Sequence, residues 1–315
     1  MSPKRGLLIT GASGNLGRVL LPLLLKQDRV YALYHQSKPT LEHKNLHWLK
    51  GDISLDNLGL VSDNKWPFDA IYHLAGLVKL GSKASAQVMA INLEGTLRVC
   101  SFAVRNKIPH LYYVSTAYIN RLEKWGKARN PYEASKWQAE ECVRYFQETE
   151  GLKVTIFRPS ILVSQEISGA FNHFVLLLIR AHREAERARR TVEDLIGLPP
   201  LRPLFRLRGK PEATLNLLPI EVAAEFIARE KREGTFWVTH PNPPTLTELA
   251  KWVGEEIMVD IEFRQKFKAS AVEGIFYRLA KPFLPYLEGN ELPSDLTVCP
   301  AISNDFISQI VRHLI

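Results

Sequence analysis

GLLITGASGNLG, residues 6–17, joins a short apolar run to a turn of three glycines, and a helical stretch, Leu16–Lys26, follows. Strand, glycine turn and helix in that order make a place for phosphate. A phosphate group needs free backbone N–H donors at a helix N-terminus and a close approach that a side chain would block. Gly11 and Gly14 would supply that room, with Ser13, Asn15 and Leu16 along the turn. Gly17 would let the helix pack tightly on the first strand. The spacing is G-x-x-G-x-x-G, which differs from the G-x-G-x-x-G dinucleotide fingerprint.

The pattern continues outward from this turn. Val30–Tyr34, His47–Lys50, Ala70–Leu74, Leu111–Ser115 and Val154–Phe157 read as strands. Leu93–Asn106 and Tyr132–Glu150 read as helices, the first with Leu93, Leu97, Cys100 and Val104 on one face. Alternating strands and helices imply a doubly wound parallel sheet, an α/β class with both sheet faces covered. After Pro159 the texture changes to a long helix, Phe171–Leu195, then loops at Pro199, Pro200, Pro203 and Pro211. Helices follow at Ile220–Arg229 and Leu246–Ile257, with a strand at Thr235–Thr239 between them. The expected division is a dinucleotide-binding Rossmann domain over 1–165 and a smaller, mostly helical substrate-binding region over 166–315, with 215–240 returning to the sheet.

Bulk composition narrows the function classes. At 46% hydrophobic and 23% charged, the 315 residues suit a globular protein with a sizeable core. No apolar run reaches the roughly 20 residues of a membrane span, and the basic start MSPKRG lacks a signal-peptide core, so a cytoplasmic protein is expected. Cys100, Cys142 and Cys299 are too few and too scattered for a disulfide framework or a zinc site, and no metal is expected. Part of the +8 net charge lies in Arg180–Lys210, which holds nine basic and four acidic residues. A solvated helix face explains that stretch better than a nucleic-acid surface.

The candidate chemistry centres on PYEASK, residues 131–136. Tyr132 and Lys136 are four apart, which on a helix places them on one face about 6 Å apart along the axis. A phenol titrates near pH ~10, and an adjacent ammonium would favour the phenolate. Tyr132 could then exchange a proton with a carbonyl oxygen while hydride moves to or from a nicotinamide. Ser115 or Thr116 closes the strand YVST, residues 113–116, at the end where open α/β sheets bind ligands, and a hydroxyl there can steady the developing charge. Thr116 is preferred as the catalytic hydroxyl, with Ser115 as the alternative. After the second strand, where NAD enzymes usually place a carboxylate, stand His35, Ser37 and Lys38. That favours the 2′-phosphate of NADP, with NAD as the alternative.

In this order these residues resemble the extended short-chain dehydrogenases/reductases, the NAD-dependent epimerase/dehydratase superfamily. The likeness covers about residues 6–165 well and the remainder loosely. It implies an NAD(P)-dependent oxidoreductase with Tyr132 as general acid/base and Lys136 as its tuner. It further implies adenine contact by Asp52 and Ile53 of GDI, and ribose and nicotinamide contacts by Leu74, Ala75 and Gly76 of HLAG. Asn92 of INLEGT matches the asparagine that supports the active-site helix and proton relay. Pro159, Ser160 and Ile161 of FRPSI resemble the segment that touches nicotinamide through its backbone. Within the family, YVSTAYI, NPYEASKWQAE, FRPSILV and LLPIEVAAEFI are most similar to fatty acyl-CoA reductases and thioester reductase domains. That branch implies hydride reduction of an acyl thioester on CoA or a carrier to an aldehyde, with onward reduction to an alcohol as the alternative. Homodimerisation through the helices at 93–106 and 132–150 is common in the wider family. Sugar-nucleotide epimerases and dehydratases usually carry VYG and YGxSK where this chain has Ala117-Tyr118-Ile119 and Tyr132-Glu133. They and hydroxysteroid-like dehydrogenases are the alternatives within the family; a non-catalytic NADP-binding sensor or scaffold is the alternative outside enzymes.

Overall fold

The computed structural model describes residues 5–61, 66–196, 203–289 and 291–315. The prolines at 199 and 200 and part of the basic stretch lie outside them. The chain forms two compact units. One comprises residues through Ser160 with Ile220–Thr239 and Ser294–Leu296; the other takes Ile161–Pro219, His240–Pro293 and Thr297–Ile315. Elements are numbered along the whole chain.

The first unit is a seven-stranded parallel sheet. Its strands are β1 (Gly6–Thr10), β2 (Arg29–Tyr34), β3 (Leu46–Lys50), β4 (Ala70–His73), β5 (His110–Val114), β6 (Lys153–Pro159) and β10 (Gly234–Val238), in the order β10-β6-β5-β4-β1-β2-β3. Every neighbouring pair is parallel, from Gly6↔Arg29 in β1–β2 to Val238↔Pro159 in β10–β6. All five residues of β1 and all four of β4 are buried, which is why these strands read as continuous apolar runs. The chain leaves β1 for β2 on one side and returns to β4 on the other. The strand order therefore reverses at β1, where sheets of this kind bind ligands beyond their carboxyl ends.

Helices cover both faces. α1 (Asn15–Leu25) packs against α7 (Ile220–Arg229). α3 (Gly95–Arg105) packs against α5 (Pro131–Glu150), around a core that includes Leu8, Ile71, Val99, Ala139 and Val143. The helix expected from Leu93 starts earlier, as α2 (Ser85–Met89), and a π turn at Ala90–Glu94 carries it into α3. Such turns are uncommon and concentrate at functional sites. α5 begins where its sequence directs: Asn130 accepts a hydrogen bond from the Glu133 N–H at 3.0 Å, and Pro131 opens the first turn. Tyr132 is thereby held in the first turn. The helix stops at Gly151, whose φ of +66° is left-handed.

A buried ion cluster ties α5 to the sheet. The Arg158 guanidinium on β6 donates to Glu140 at 3.0 and 2.7 Å and to Glu123 of α4 (Asn120–Trp125) at 3.2 and 2.6 Å. It also lies over the Trp237 ring at 4.6 Å. Removing one partner of a buried pair leaves the other charge unpaired in low dielectric.

The second unit contains β7 (Ile161–Val163), α6 (Ala170–Ile196), β8 (Leu204–Arg208), β9 (Leu217–Pro219), α8 (Leu246–Ile257), β11 (Asp260–Arg264), α9 (Ala271–Ala280) and α10 (Asn304–Arg312). It is mostly helical. Two parallel strand pairs, β7–β9 and β8–β11, were not expected from the sequence, because strands of three to five residues leave almost no periodicity to read. Capping boxes at Thr245/Glu248 and Ser270/Glu273 start α8 and α9. Phe174, Phe205 and Phe276 form an aromatic core here, with ring centroids 5.2 and 5.6 Å apart.

Arg158→Leu is expected to cost about 3 kcal/mol in chemical denaturation because Glu140 is left buried, and Arg158→Leu/Glu140→Leu to recover most of that loss.

Candidate active site

The glycine turn ends β1 and caps α1. Gly11 has φ +74°, and a Cβ there would sit 2.6 Å from the Ala75 nitrogen. A Cβ on Gly17 would meet the Gly11 carbonyl oxygen at 2.3 Å. Both positions exclude any side chain, the first because β4 closes on the turn, the second because α1 does. Gly14, the N-cap of α1, brings no side chain to its first N–H groups, and Ser13 and Asn15 beside them are exposed. Leu16 is half-buried. The Arg18 guanidinium donates to the Ser13 carbonyl at 2.9 Å. An anion at this helix end would meet backbone donors and the positive end of the helix dipole.

His35, Ser37 and Lys38 are all exposed just past β2. The His35 Nε2 lies 3.0 Å from Asp52, which also accepts from the Ser54 N–H at 2.8 Å. Burial pushes the Asp52 carboxyl up, but the Ser54 hydrogen bonds and His35 outweigh it, and the carboxyl is held below its ordinary range. Ile53 is buried; its side chain lies where a Cβ on Gly95 would clash at 2.8 Å.

The strand ends bring the remaining residues together. The Thr116 hydroxyl accepts from the Tyr118 N–H at 3.4 Å and lies near enough to the Tyr132 phenol to favour its ionised form. Lys136 donates to the Val114 carbonyl at 2.7 Å and to the Tyr113 phenol at 3.4 Å, with its ammonium 4.8 Å from that ring's centre. Asn92, fully buried in the π turn, donates to the Leu77 carbonyl at 3.1 Å and to the Ser135 hydroxyl at 2.9 Å, while its Oδ1 accepts from the Leu77 N–H at 2.7 Å. A Cβ on Gly76 would lie 3.3 Å from the Asn92 Oδ1 and 3.4 Å from the Lys136 Nζ, so these three residues converge. Leu74 and Ala75 form the wall against Gly11.

Ser115 and Ser160 end neighbouring strands. Both hydroxyls are buried and have no hydrogen-bond partner among the described residues. Ser160 and Pro159 are held by β10, the Ser160 N–H donating to the Val238 carbonyl at 3.1 Å. Ile161 opens β7 in the second unit. Buried hydroxyls left without partners at a sheet's carboxyl end suit a polar ligand. Together with the glycine cradle and the bare helix end, they fit a nicotinamide dinucleotide.

The electrostatics differ from the expectation in one respect. Burial pushes the Tyr132 phenol up to about 12, opposed by the Thr116 hydrogen bond and reinforced by Glu133. Burial pushes Lys136 down to about 8, opposed by Glu140. The lowering of the phenol expected from Lys136 is therefore not what this geometry gives: the ammonium is occupied by Val114 and Tyr113. Sequence reading also missed Thr10, Thr96 and Ser135, which hydrogen-bond His73 and Asn92. Isolated polar residues inside apolar runs were the one available signal.

Residues 7–197 match the NAD dependent epimerase/dehydratase family. The chain belongs to that family. It is an NAD(P)-dependent enzyme of the extended short-chain dehydrogenase/reductase type, with the Rossmann sheet and helical C-terminal region that the fold shows. Among solved structures it is similar to the terminal R domain of the myxalamid PKS-NRPS pathway, at 20% identity and TM-score 0.72 over 100% of this chain and 91% of that one. It is similar to a thiolation-reductase di-domain of an archaeal non-ribosomal peptide synthetase, at 15% identity and TM-score 0.69 over 98% of this chain and 90% of that one. The UDP-glucose 4-epimerase of Thermus thermophilus, solved with NAD, shares 18% identity and TM-score 0.62 over 98% of each chain. These likenesses establish the fold. Among curated proteins, the polyketide synthase-nonribosomal peptide synthetase ffsA of Aspergillus flavipes is 25% identical over 190 residues, which are 52% of this chain and 5% of that protein. No helix among the described residues is long and apolar enough to cross a membrane.

Gly11→Ala is expected to cost about 2 kcal/mol or more in thermal or chemical denaturation, since it adds a left-handed strain to a clash with Ala75. Binding of NADPH, followed by its fluorescence, should be lost in the same variant.

Proposed function

We propose that this family member is an NADP-dependent reductase of acyl thioesters delivered on CoA or a carrier protein. The observation that carries the oxidoreductase reading is the convergence of Gly76, Asn92 and the buried Lys136 at the strand ends, with Tyr132 one helical turn before Lys136 on α5. The thioester is supported by likeness: the structural relatives include a terminal R domain and a thiolation-reductase di-domain, and the curated relative is a polyketide synthase-peptide synthetase. The phosphate-bearing form of the cofactor is supported by His35, Ser37 and Lys38, which stand exposed after β2 with no carboxylate before Glu42.

The cofactor, when bound, supplies hydride to the carbonyl carbon. Gly11, Gly14 and the first N–H groups of α1 hold its pyrophosphate, and Lys38 with His35 meets the 2′-phosphate. Asp52 and Ile53 would meet the adenine, and Leu74 to Gly76 the ribose and nicotinamide side. Ser115 and Ser160 offer their unpartnered hydroxyls to the nicotinamide end. Tyr132, protonated at neutral pH as an ordinary phenol is, gives its proton to the carbonyl oxygen, and Thr116 steadies that oxygen as charge develops. Lys136 keeps a positive charge beside the site and anchors it to the end of β5. With hydride supplied by the bound cofactor, a thioester would take the Tyr132 proton on its oxygen, and the resulting hemithioacetal would release the thiol, carrying that proton, to leave an aldehyde. Asn92 holds α5 in place through Ser135.

The first test supplies NADPH and a panel of acyl-CoAs, aldehydes and ketones to the wild type and to Tyr132→Phe. The wild type should oxidise NADPH on a thioester at least about 100-fold faster than the variant, the usual contribution of a positioned proton donor. Equal rates on every substrate would overturn the reading. In the cofactor series, Lys38→Ala should weaken NADPH and leave NADH unchanged; tighter NADH than NADPH binding by the wild type would rule out NADP.

The pH profile supplies another check. Lys136 loses its charge as pH rises through about 8, so the reduction rate should fall along that limb. Lys136→Arg, which stays charged, should lose the limb whatever rate remains.

A further inference from the structure

Six hydrogen bonds run through the interior of the first unit from the glycine turn to the active-site helix. The Ala75 N–H donates to the Thr10 hydroxyl at 3.2 Å, and Thr10 meets His73 Nδ1 at 2.7 Å. His73 Nε2 meets the Thr96 hydroxyl at 3.0 Å, and Thr96 donates to the Asn92 carbonyl at 2.6 Å. Asn92 Nδ2 donates to the Ser135 hydroxyl at 2.9 Å, and Ser135 donates to the Tyr132 carbonyl at 2.7 Å. Thr10, His73, Asn92, Thr96 and Ser135 are each essentially without exposure.

Proton counting fixes the direction of this chain. Each hydroxyl has one proton to give. Thr96 spends its proton on Asn92, so it can only accept from His73, and His73 Nε2 must carry hydrogen. A neutral imidazole then has a bare Nδ1, which accepts the Thr10 proton, and Thr10 accepts from Ala75. No other tautomer satisfies every partner. An imidazolium would set Nδ1–H against Thr10 and force that hydroxyl to turn its proton into an apolar interior. Burial and the nearby Lys136 ammonium hold His73 down to about 3, in agreement with that count. The other ionisable group facing the ring is the Tyr113 phenol, whose ring centre is 5.7 Å away and whose own titration burial pushes up.

We propose that His73 is a positioning residue: held as the neutral Nε2–H tautomer, it couples the backbone of the cofactor turn to the π turn of Asn92 and so to the backbone of Tyr132. The π turn gives this coupling its site, since it is where the helix departs from regular bonding and the Asn92 carbonyl is taken by Thr96. The kinetic part of this inference rests on the reductase reading; the tautomer and cofactor-affinity parts do not.

The test has two arms on the full chain. Long-range proton–nitrogen NMR of histidine-labelled protein, with His73 assigned by its absence in His73→Gln, should show Nε2–H, a bare Nδ1 and no titration from about pH 5 to about pH 9. An Nδ1–H tautomer or a titration within that range would overturn the proposal. In the second arm, His73→Leu, which removes both bonds, is compared with His73→Gln, which keeps a donor toward Thr96. His73→Leu should weaken NADPH binding several-fold and lower kcat by about tenfold or more with KM for the acceptor nearly unchanged, and His73→Gln should restore most of kcat. A His73→Leu protein that melts lower but keeps both NADPH affinity and kcat would make His73 a packing residue and overturn the proposal. If no substrate is turned over by any form, the reductase reading fails, while the tautomer and the NADPH titration still decide the role of His73. If His73→Leu does not fold, the wild-type spectrum and His73→Gln decide it.

Discussion

The structure of the first unit depends on one close approach. The backbone of Gly11 lies against Leu74 and Ala75 so tightly that a single Cβ would overlap the Ala75 nitrogen at 2.6 Å. That approach joins the ends of β1 and β4 at the reversal of strand order. It leaves the N-terminus of α1 open to an anion, puts the Thr10 hydroxyl within reach of both Ala75 and His73, and sets Gly76 beside Asn92 and Lys136. A larger residue at position 11 would separate the cofactor turn from the proton-transfer residues. The glycine is thus a constraint on the site as a whole.

Burial does the electrostatic work around it. Desolvation raises the Tyr132 phenol to about 12 and brings Lys136 down to about 8. The phenol is pushed further toward its protonated form, and the lysine toward a charge held at neutral pH and lost as pH rises through about 8. Neighbours set how far each moves: the Thr116 hydroxyl opposes the rise of Tyr132, and the Glu140 carboxylate opposes the fall of Lys136. The positive charge expected to act on the tyrosine acts on the end of β5 instead. Arg158, between Glu140 and Glu123, anchors the same face of α5 one turn beyond Lys136.

Much of this was legible in the residues. Continuous apolar runs such as LLIT and AIYH announce buried parallel strands, and glycines between a strand and a helix announce the turn. The candidate residues Gly11, Gly17, Thr116, Tyr132 and Lys136 could be named because their order and spacing carry a mechanism, and Asn92 because INLEGT resembles the family's motif. Three things were not legible. The short strands of the second unit, three to five residues each, give no period. The orientation of Lys136 is decided by a carbonyl acceptor, which has no sequence signature. The chain through His73 joins four elements distant in sequence, and its polar members stand singly inside apolar stretches, where they read as strand ends or helix filler.

The central claim is that the site delivers hydride to an acyl carbon for good, with Tyr132 supplying the proton. The most direct measurement follows deuterium from NADPH dideuterated at C4 during single turnover of an acyl-CoA, with mass spectrometry of the product. The account predicts one deuterium on the former carbonyl carbon of the aldehyde, free CoA, and oxidised cofactor in equal amount. Unlabelled product, or a cofactor recovered in its starting redox state after a sugar nucleotide has been converted, would contradict it.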